Sequence, residues 1–337
     1  MANEMTKLLD TITPEQYTEY TNTVAEQHSA FYQSGILLPT ASLDQNIIHG
    51  GKVVTMPEWQ QTSLVDQVLE EDKALVTGKV TARKQLAHVL YRGTGAAYTD
   101  LAAMMSGSNP ITQVLNDFAD YTLRSDNEIL KAIVTGIFAG PLKTTHVSDQ
   151  SKAKNNVISP EMVIDARSIL GTSRQKLTVI AMHSKVKAEL EKQNVQTKHF
   201  IPASESKSGF DTYLGMRVVE DDALIDDNGV YSTYLYAQGA FGVNTATPAD
   251  MITYEPDRDA AKGNNMLYVR RARVLHPFGL SFTGKKVSAV TPTNEDLADP
   301  TNWEKVAMDD KKIGIVCLKH KLSADAPEDV APKKKAE

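Results

Sequence analysis

Between Asn109 and Pro141 apolar residues return at intervals of three and four, with Val114, Phe118, Ile129, Ile133, Val134, Ile137 and Phe138 on one stripe. The spacing predicts a single helix over 109–139, with Asn109 as N-cap, Pro110 at the first helical position and Gly140-Pro141 as the stop. At about 1.5 Å per residue it extends roughly 45 Å, several times an average globular helix of about 11 to 12 residues. Such a helix acts as a spine for something larger than one compact core.

The flanking patterns are of other kinds. Residues 1 to 48 are polar, with Tyr17, Tyr20, Val24 and Phe31 on a loose helical stripe, and read as an arm seeking a partner. From Gly50, "GGKVVTMPEW" begins a strand and "GKVTARKQLAHVLYRG" returns with alternating Val80, Ala82, Leu86 and Leu90, a long two-stranded excursion. Its acidic tip (Asp66, Glu70, Glu71, Asp72) and its returning basic pair (Arg83, Lys84) carry opposite charge, which suits contacts between copies. Residues 142–158 read as polar linker. "SPEMVIDARSILG" has Ser159, Pro160 and Gly171 as helix punctuation. "KLTVIAMHS" reads as a buried strand and "SKVKAELEKQ" as a short helix. "YLGMRVVED", "VYSTYLYAQGAFGV", "NMLYVRRARVLHPFGLSF" and "KKIGIVCLKHKL" supply further strands, and the Pro- and charge-rich end at 322–337 is expected to be disordered. The fold class is α+β.

Composition narrows the function. With 36 Lys+Arg against 42 Asp+Glu the net charge is -6, so the chain as a whole has no electrostatic drive toward nucleic acid or an anionic membrane. Cys317 is the single cysteine, which excludes an internal disulfide and a cysteine-built zinc site. No stretch has the length of a signal-peptide core or of a membrane span, which points to a soluble protein made in a cytoplasm.

Several fragments approach catalytic signatures and miss. In "HPFGLSFTGKK", Gly279, Gly284 and Lys285 have phosphate-loop spacing, but Lys286 stands where Ser or Thr should hold magnesium, and "KKVSAVTPTN" starts no helix. Ser281 lacks the second glycine of a nucleophile elbow, because Thr283 occupies its place. Leu275, Phe278, Leu280 and Phe282 read instead as an apolar strand that Gly284 closes. "LIDDNG" resembles a calcium loop with Leu224 and Leu235 at ligand positions, so it reads as a turn. "RGTGAA" lacks the third glycine and helix of a dinucleotide site. The eight histidines are scattered, with no pair at the i, i+4 spacing of a zinc protease helix. No catalytic, cofactor or metal residue is assigned. "YVRRAR" sets Arg271 and Arg273 on one strand face and Arg270 on the other, which suggests assembly salt bridges rather than base readout.

The order of these parts resembles the major capsid proteins of tailed bacteriophages, with the Hong Kong 97 type of fold. The similarity covers most of 48–284 and rests on "GGKVVTMPEW", "ALVTGKVTARKQLAHVLYRGTGAAYTDLAA", "YLGMRVVED", "YLYAQGAFG" and "NMLYVRRARVLHPFGLSFTG" in succession. The resemblance implies an N-arm at 1–48 and an E-loop at 49–92. It further implies a peripheral domain from 93–158 and 266–321, and an axial domain from 159–265 that meets its copies around pentamer and hexamer centres. The implied function is a homo-oligomeric head shell around double-stranded DNA, assembled in the host cytoplasm without enzymatic activity, membrane or cofactor. Portal, scaffold or decoration proteins are the implied partners, with DNA touched only by weak non-specific contact. The chain begins without the charged scaffolding segment of some members, which implies a separate scaffold or none. Lys73 and Lys79 lie in the excursion, but no acceptor or carboxylate marks the Lys-Asn cross-link that some members form. An encapsulin-like nanocompartment shell is the alternative of similar fold.

Overall fold

The computed structural model describes residues 34–40, 51–60, 64–69, 74–106, 110–153, 156–197, 199–203, 205–206, 210–222, 224, 229–246, 251–287 and 289–322. In chain order it begins with β1 (Leu37–Pro39), β2 (Val53–Trp59), β3 (Ala82–His88), β4 (Leu90–Thr99), α1 (Asp100–Ser106), α2 (Pro110–Ala139) and β5 (Val147–Asp149). Next come α3 (Pro160–Ser168), β6 (Leu177–Met182), α4 (Ser184–Thr197), β7 (Phe200–Ile201), β8 (Thr212–Tyr213), β9 (Met216–Glu220) and β10 (Tyr231–Ala237). The chain continues with β11 (Phe241–Ala246), β12 (Tyr254–Asp259), β13 (Asn264–Pro277), β14 (Leu280–Phe282), α5 (Asn294–Ala298), β15 (Trp303–Lys305) and β16 (Ile315–His320). The expected N-cap Asn109, the Tyr17 to Phe31 stripe, the tip residues Glu70, Glu71 and Asp72, Lys73, and the tail 323–337 lie outside the described residues.

Two compact units share the chain. The first takes 38–141 and 241–310 of the residues above; the second takes 142–240 and 311–322, with the segment ending at Leu37. The boundaries fall at 240/241 and 310/311, whereas the resemblance set the axial domain at 159–265 and extended the peripheral domain to 321. The cause is pairing. β11 and β12 lie in succession along one side of β13, and β16 pairs with β10 in the second unit.

In the first unit the 14-residue β13 is the central strand, with β4 on its other side in a ten-residue register from Asn264↔Thr99 to Arg273↔Leu90. The glycines of "RGTGAA" sit inside β4 rather than in a loop. A Cβ at Gly95 would come 2.8 Å from the Tyr268 ring, so glycine is what lets the strand lie there. The helix α2 runs 30 residues, as the periodicity predicts, and buries Ile129, Ile133, Val134 and Ile137. Gly136 lets α5 close on it: a Cβ there would strike the Leu297 carbonyl oxygen, which accepts the Trp303 Nε1 proton at 2.7 Å. The apolar run at 275–282 is split. β13 stops at Pro277, Gly279 takes φ +88, and β14 pairs with β15 in a separate two-stranded sheet.

The second unit holds a seven-stranded mixed sheet in the order β5-β16-β10-β6-β9-β8-β7. Its core gathers Val163, Ala166, Ile180, Val186, Tyr213, Leu235 and Val316 beneath α3 and α4. Ser159 caps α3, its Oγ accepting from Met162 N–H at 3.4 Å, with Pro160 next as predicted. The stretch 142–158 is not all linker, since Val147–Asp149 forms the edge strand β5, parallel to β16. "YLGMRVVED" is a hairpin, turned by Leu214 at φ 50 and Gly215 at φ 77.

Candidate assembly surface

The β2–β3 hairpin is rooted through one face. Val54 and Ala87, opposed in register, join Val89 and the β13 residues Ala272 and Val274 in an apolar cluster on which Met56 packs. Leu86 N–H donates to Ser281 Oγ at 3.0 Å, and Gly279 N–H donates to Gln85 Oε1 at 3.3 Å. Gln85 Nε2 in turn donates to Glu58 Oε2 at 2.5 Å. Hydrogen bonds on both ends of its amide make burial of Gln85 tolerable. The buried set in β3 is therefore Gln85 and Ala87, opposite in parity to the predicted Leu86. The strand breaks at Val89, whose N–H donates to Lys52 O at 2.9 Å, and burial changes parity to Leu90.

Beyond Trp59 the ribbon leaves the core. Gln60 N–H still donates to Thr81 O at 2.8 Å; residues 64–69 and 74–80 then run without regular strand structure. Leu64 is 80% exposed, Val68 84%, Leu69 80% and Val76 78%. Full burial of a side chain of this size stabilises by about 1.5–3 kcal/mol, so an isolated subunit leaves much of that unrealised here. A smaller bare patch lies on α1, at Leu101, Met104 and Met105.

The predicted charged residues divide. Asp66, Arg83 and Lys84 are exposed on the ribbon, where Arg83 Nη1 reaches the Val306 carbonyl at 3.5 Å. Arg271 and Arg273 share a strand face, as read from the sequence, but that face is interior. Arg271 Nη1 lies 3.0 Å from Asp126 Oδ1, Arg273 Nη1 bonds Asp126 Oδ2, and all three side chains are at most 9% exposed. The expectation of inter-copy bridges is corrected for these two: buried guanidiniums need a carboxylate within reach, and α2 supplies it in the same unit. Arg270, on the other face, pairs with Glu255 at 2.7 Å. Asp126 was the missed member; an acid three, four and seven residues before Ile129, Leu130 and Ile133 on the apolar stripe was its signal.

The near-catalytic fragments are occupied structurally. In the 279–286 loop, Gly279 N–H is taken by Gln85, Thr283 N–H donates to Asn302 O at 2.7 Å and Lys286 N–H to Asn302 Oδ1 at 2.7 Å, which leaves no cradle of amides. Lys285 and Lys286 form a turn, not a helix. Among the described residues no group of three His, Cys, Asp or Glu is placed to hold a metal ion, and no helix is long and apolar enough to cross a membrane.

No protein-family model matches the chain. It is 35% identical over 326 residues to the major capsid protein of Bacillus phage SPP1, covering 95% of this chain and 99% of that one. Among solved structures, the capsid of Ralstonia phage GP4 matches with a TM-score of 0.60 at 7% identity, over 86% of this chain and 90% of the other. The capsid of a native GTA particle matches with a TM-score of 0.50 at 12% identity, over 84% and 92%. The structural matches establish a Hong Kong 97-type fold, and the sequence identity along nearly the whole length goes further: this chain belongs to the major capsid proteins of tailed bacteriophages.

Proposed function

We propose that the chain tiles the phage head as hexamers and pentamers that enclose double-stranded DNA, and that it works without catalytic step, cofactor or metal. One observation carries the reading: seven apolar side chains of the ribbon, from Leu64 to Val80, are each at least 56% exposed. Water penalises such a surface until something covers it, and membership of a shell-forming family supports other copies as the cover. A closed shell repeats one contact between identical copies, so the ribbon of each subunit meets a different patch on the next. The first unit serves as peripheral domain and the second as axial domain, with 1–48 as the arm and 49–92 as the E-loop. Asp66 with Glu70, Glu71 and Asp72 meets basic groups such as Arg83 and Lys84 of a neighbour.

The net charge of -6 suits a wall that DNA lies against without tight binding. Portal, scaffold or decoration proteins are the further partners, met in the host cytoplasm. The chain expressed alone at high concentration is expected to sediment as rings or shells and to show them by negative-stain microscopy. A species that stays monomeric at every concentration would overturn the proposal, as would particles filled with enzyme cargo instead of DNA.

A further inference from the structure

The ribbon beyond Gln60 has a feature that apolar exposure alone does not require. Where the β2–β3 ladder has ended, Gln67 Nε2 donates to the Val76 carbonyl at 2.9 Å and Val76 N–H donates to Gln67 Oε1 at 2.9 Å. The same Nε2 lies 3.5 Å from Val65 O on its own arm. Both backbone groups of one residue are thus satisfied by one primary amide, the exchange that two facing residues of an antiparallel ladder make through their main chains. A side chain stands where a strand would stand.

Gln67 is the half-buried residue of the described 64–69 segment, whose other five members are exposed. We propose that Gln67 is the positioning residue of the assembly ribbon: its amide clamps the two arms in the register that presents Leu64, Val68, Leu69 and Val76 as one pad to a second copy of this chain. The inference rests on the proposed shell function for its occupant and on the clamp geometry for its mechanism. The second copy is favoured by charge, because the pad carries Asp66 on its rim while exposed Arg83 and Lys84 stand on the hairpin base that every copy also offers. Ordering the pad before encounter lowers the entropic cost of docking, which is how a residue that touches no partner governs association.

The clamp and the assembly are read separately, on the full chain. Q67A removes both hydrogen bonds; Q67E keeps the shape but sets a carboxylate oxygen against the Val76 carbonyl. In unassembled subunits, hydrogen exchange of a peptide spanning 74–80 reads the Val76 amide, and loss of a bond of ordinary strength accelerates it about tenfold. Q67A is expected to show that acceleration, with wild-type circular dichroism and thermal midpoint and at least a tenfold lower yield of assembled particles; Q67E, whose carboxylate still accepts from Val76 N–H, is expected to exchange more slowly than Q67A at Val76 while also losing particle yield. Unchanged exchange at Val76 in Q67A overturns the clamp whatever assembly does. Faster exchange with wild-type particle yield overturns its role in docking. Wild-type chain that never assembles counts against the shell function instead, and the exchange comparison still judges the clamp.

Discussion

Asp126 occupies an apolar position of α2 and faces two guanidiniums, so its charge rather than its volume is what the site uses. Asp126→Asn keeps the shape and leaves Arg271 and Arg273 buried without a counter-charge, a loss of about 3–5 kcal/mol. Urea denaturation is expected to show a lower midpoint with an unchanged slope. Two buried histidines set a pH limit. Burial pushes His276 down to about 4, while its Nε2 bonds the Leu280 carbonyl at 2.8 Å. Burial likewise pushes His320 down to about 4, with Nε2 2.8 Å from Thr233 Oγ1. Unfolded, each titrates near 6.5, so between those values the unfolded chain binds more protons. The stability that the neutral rings contribute is complete above about 6.5 and falls with pH down to about 4, by up to roughly 3 kcal/mol per ring. Unfolding free energies measured at pH 7, 6 and 5 should decline in that order; a flat series contradicts the assignment. At this scale the sequence was partly transparent. Asp126 was missed although it left a signal, an acid on an apolar stripe, whereas Gln67 left none, because its partner lies nine residues away on an arm with no periodicity.

Elements were legible in proportion to their length. α2 repeats its pattern over 30 residues, and the predicted stop at Gly140 holds to the residue. β5 has three residues and disappeared into a polar stretch, since its place depends on β16, some 170 positions later, as a parallel partner. β4 was hidden by Gly93 and Gly95, which look like loop chemistry until the Val269 carbonyl is placed against the first and the Tyr268 ring against the second. The same close approach makes a prediction for α2. Gly136→Ala gains about 1 kcal/mol in helix propensity but overpacks the contact with Leu297 and Trp303, at about 1–3 kcal/mol, and disturbs their 2.7 Å hydrogen bond. A lower thermal midpoint is the expected outcome, and a higher one would mean that α5 can withdraw without loss.

For the whole molecule, the buried residues that hold a subunit together are distinct from the exposed ribbon residues proposed to assemble it. The second unit's core and the cluster under the hairpin are buried within each subunit, whereas the ribbon from Leu64 to Val80 contributes almost nothing to them. Val68→Asp should therefore leave the unfolding midpoint of dissolved subunits unchanged and abolish particles in sedimentation; a shift in the midpoint would place Val68 inside a core. The family was legible from the order of elements rather than from any one motif. The unit boundaries were not, because within the described residues the chain passes between the units at 37/38, 141/142, 240/241 and 310/311, and such returns leave no local mark.

Strand β16 lies between β5 and β10, yet it is synthesised after both. Until the ribosome has passed His320, β10 keeps a naked edge, and the second unit cannot close its sheet. Translation thus leaves this sheet open until nearly the whole chain has been made, and a polypeptide that stops before Ile315 lacks the strand that joins β5 to β10.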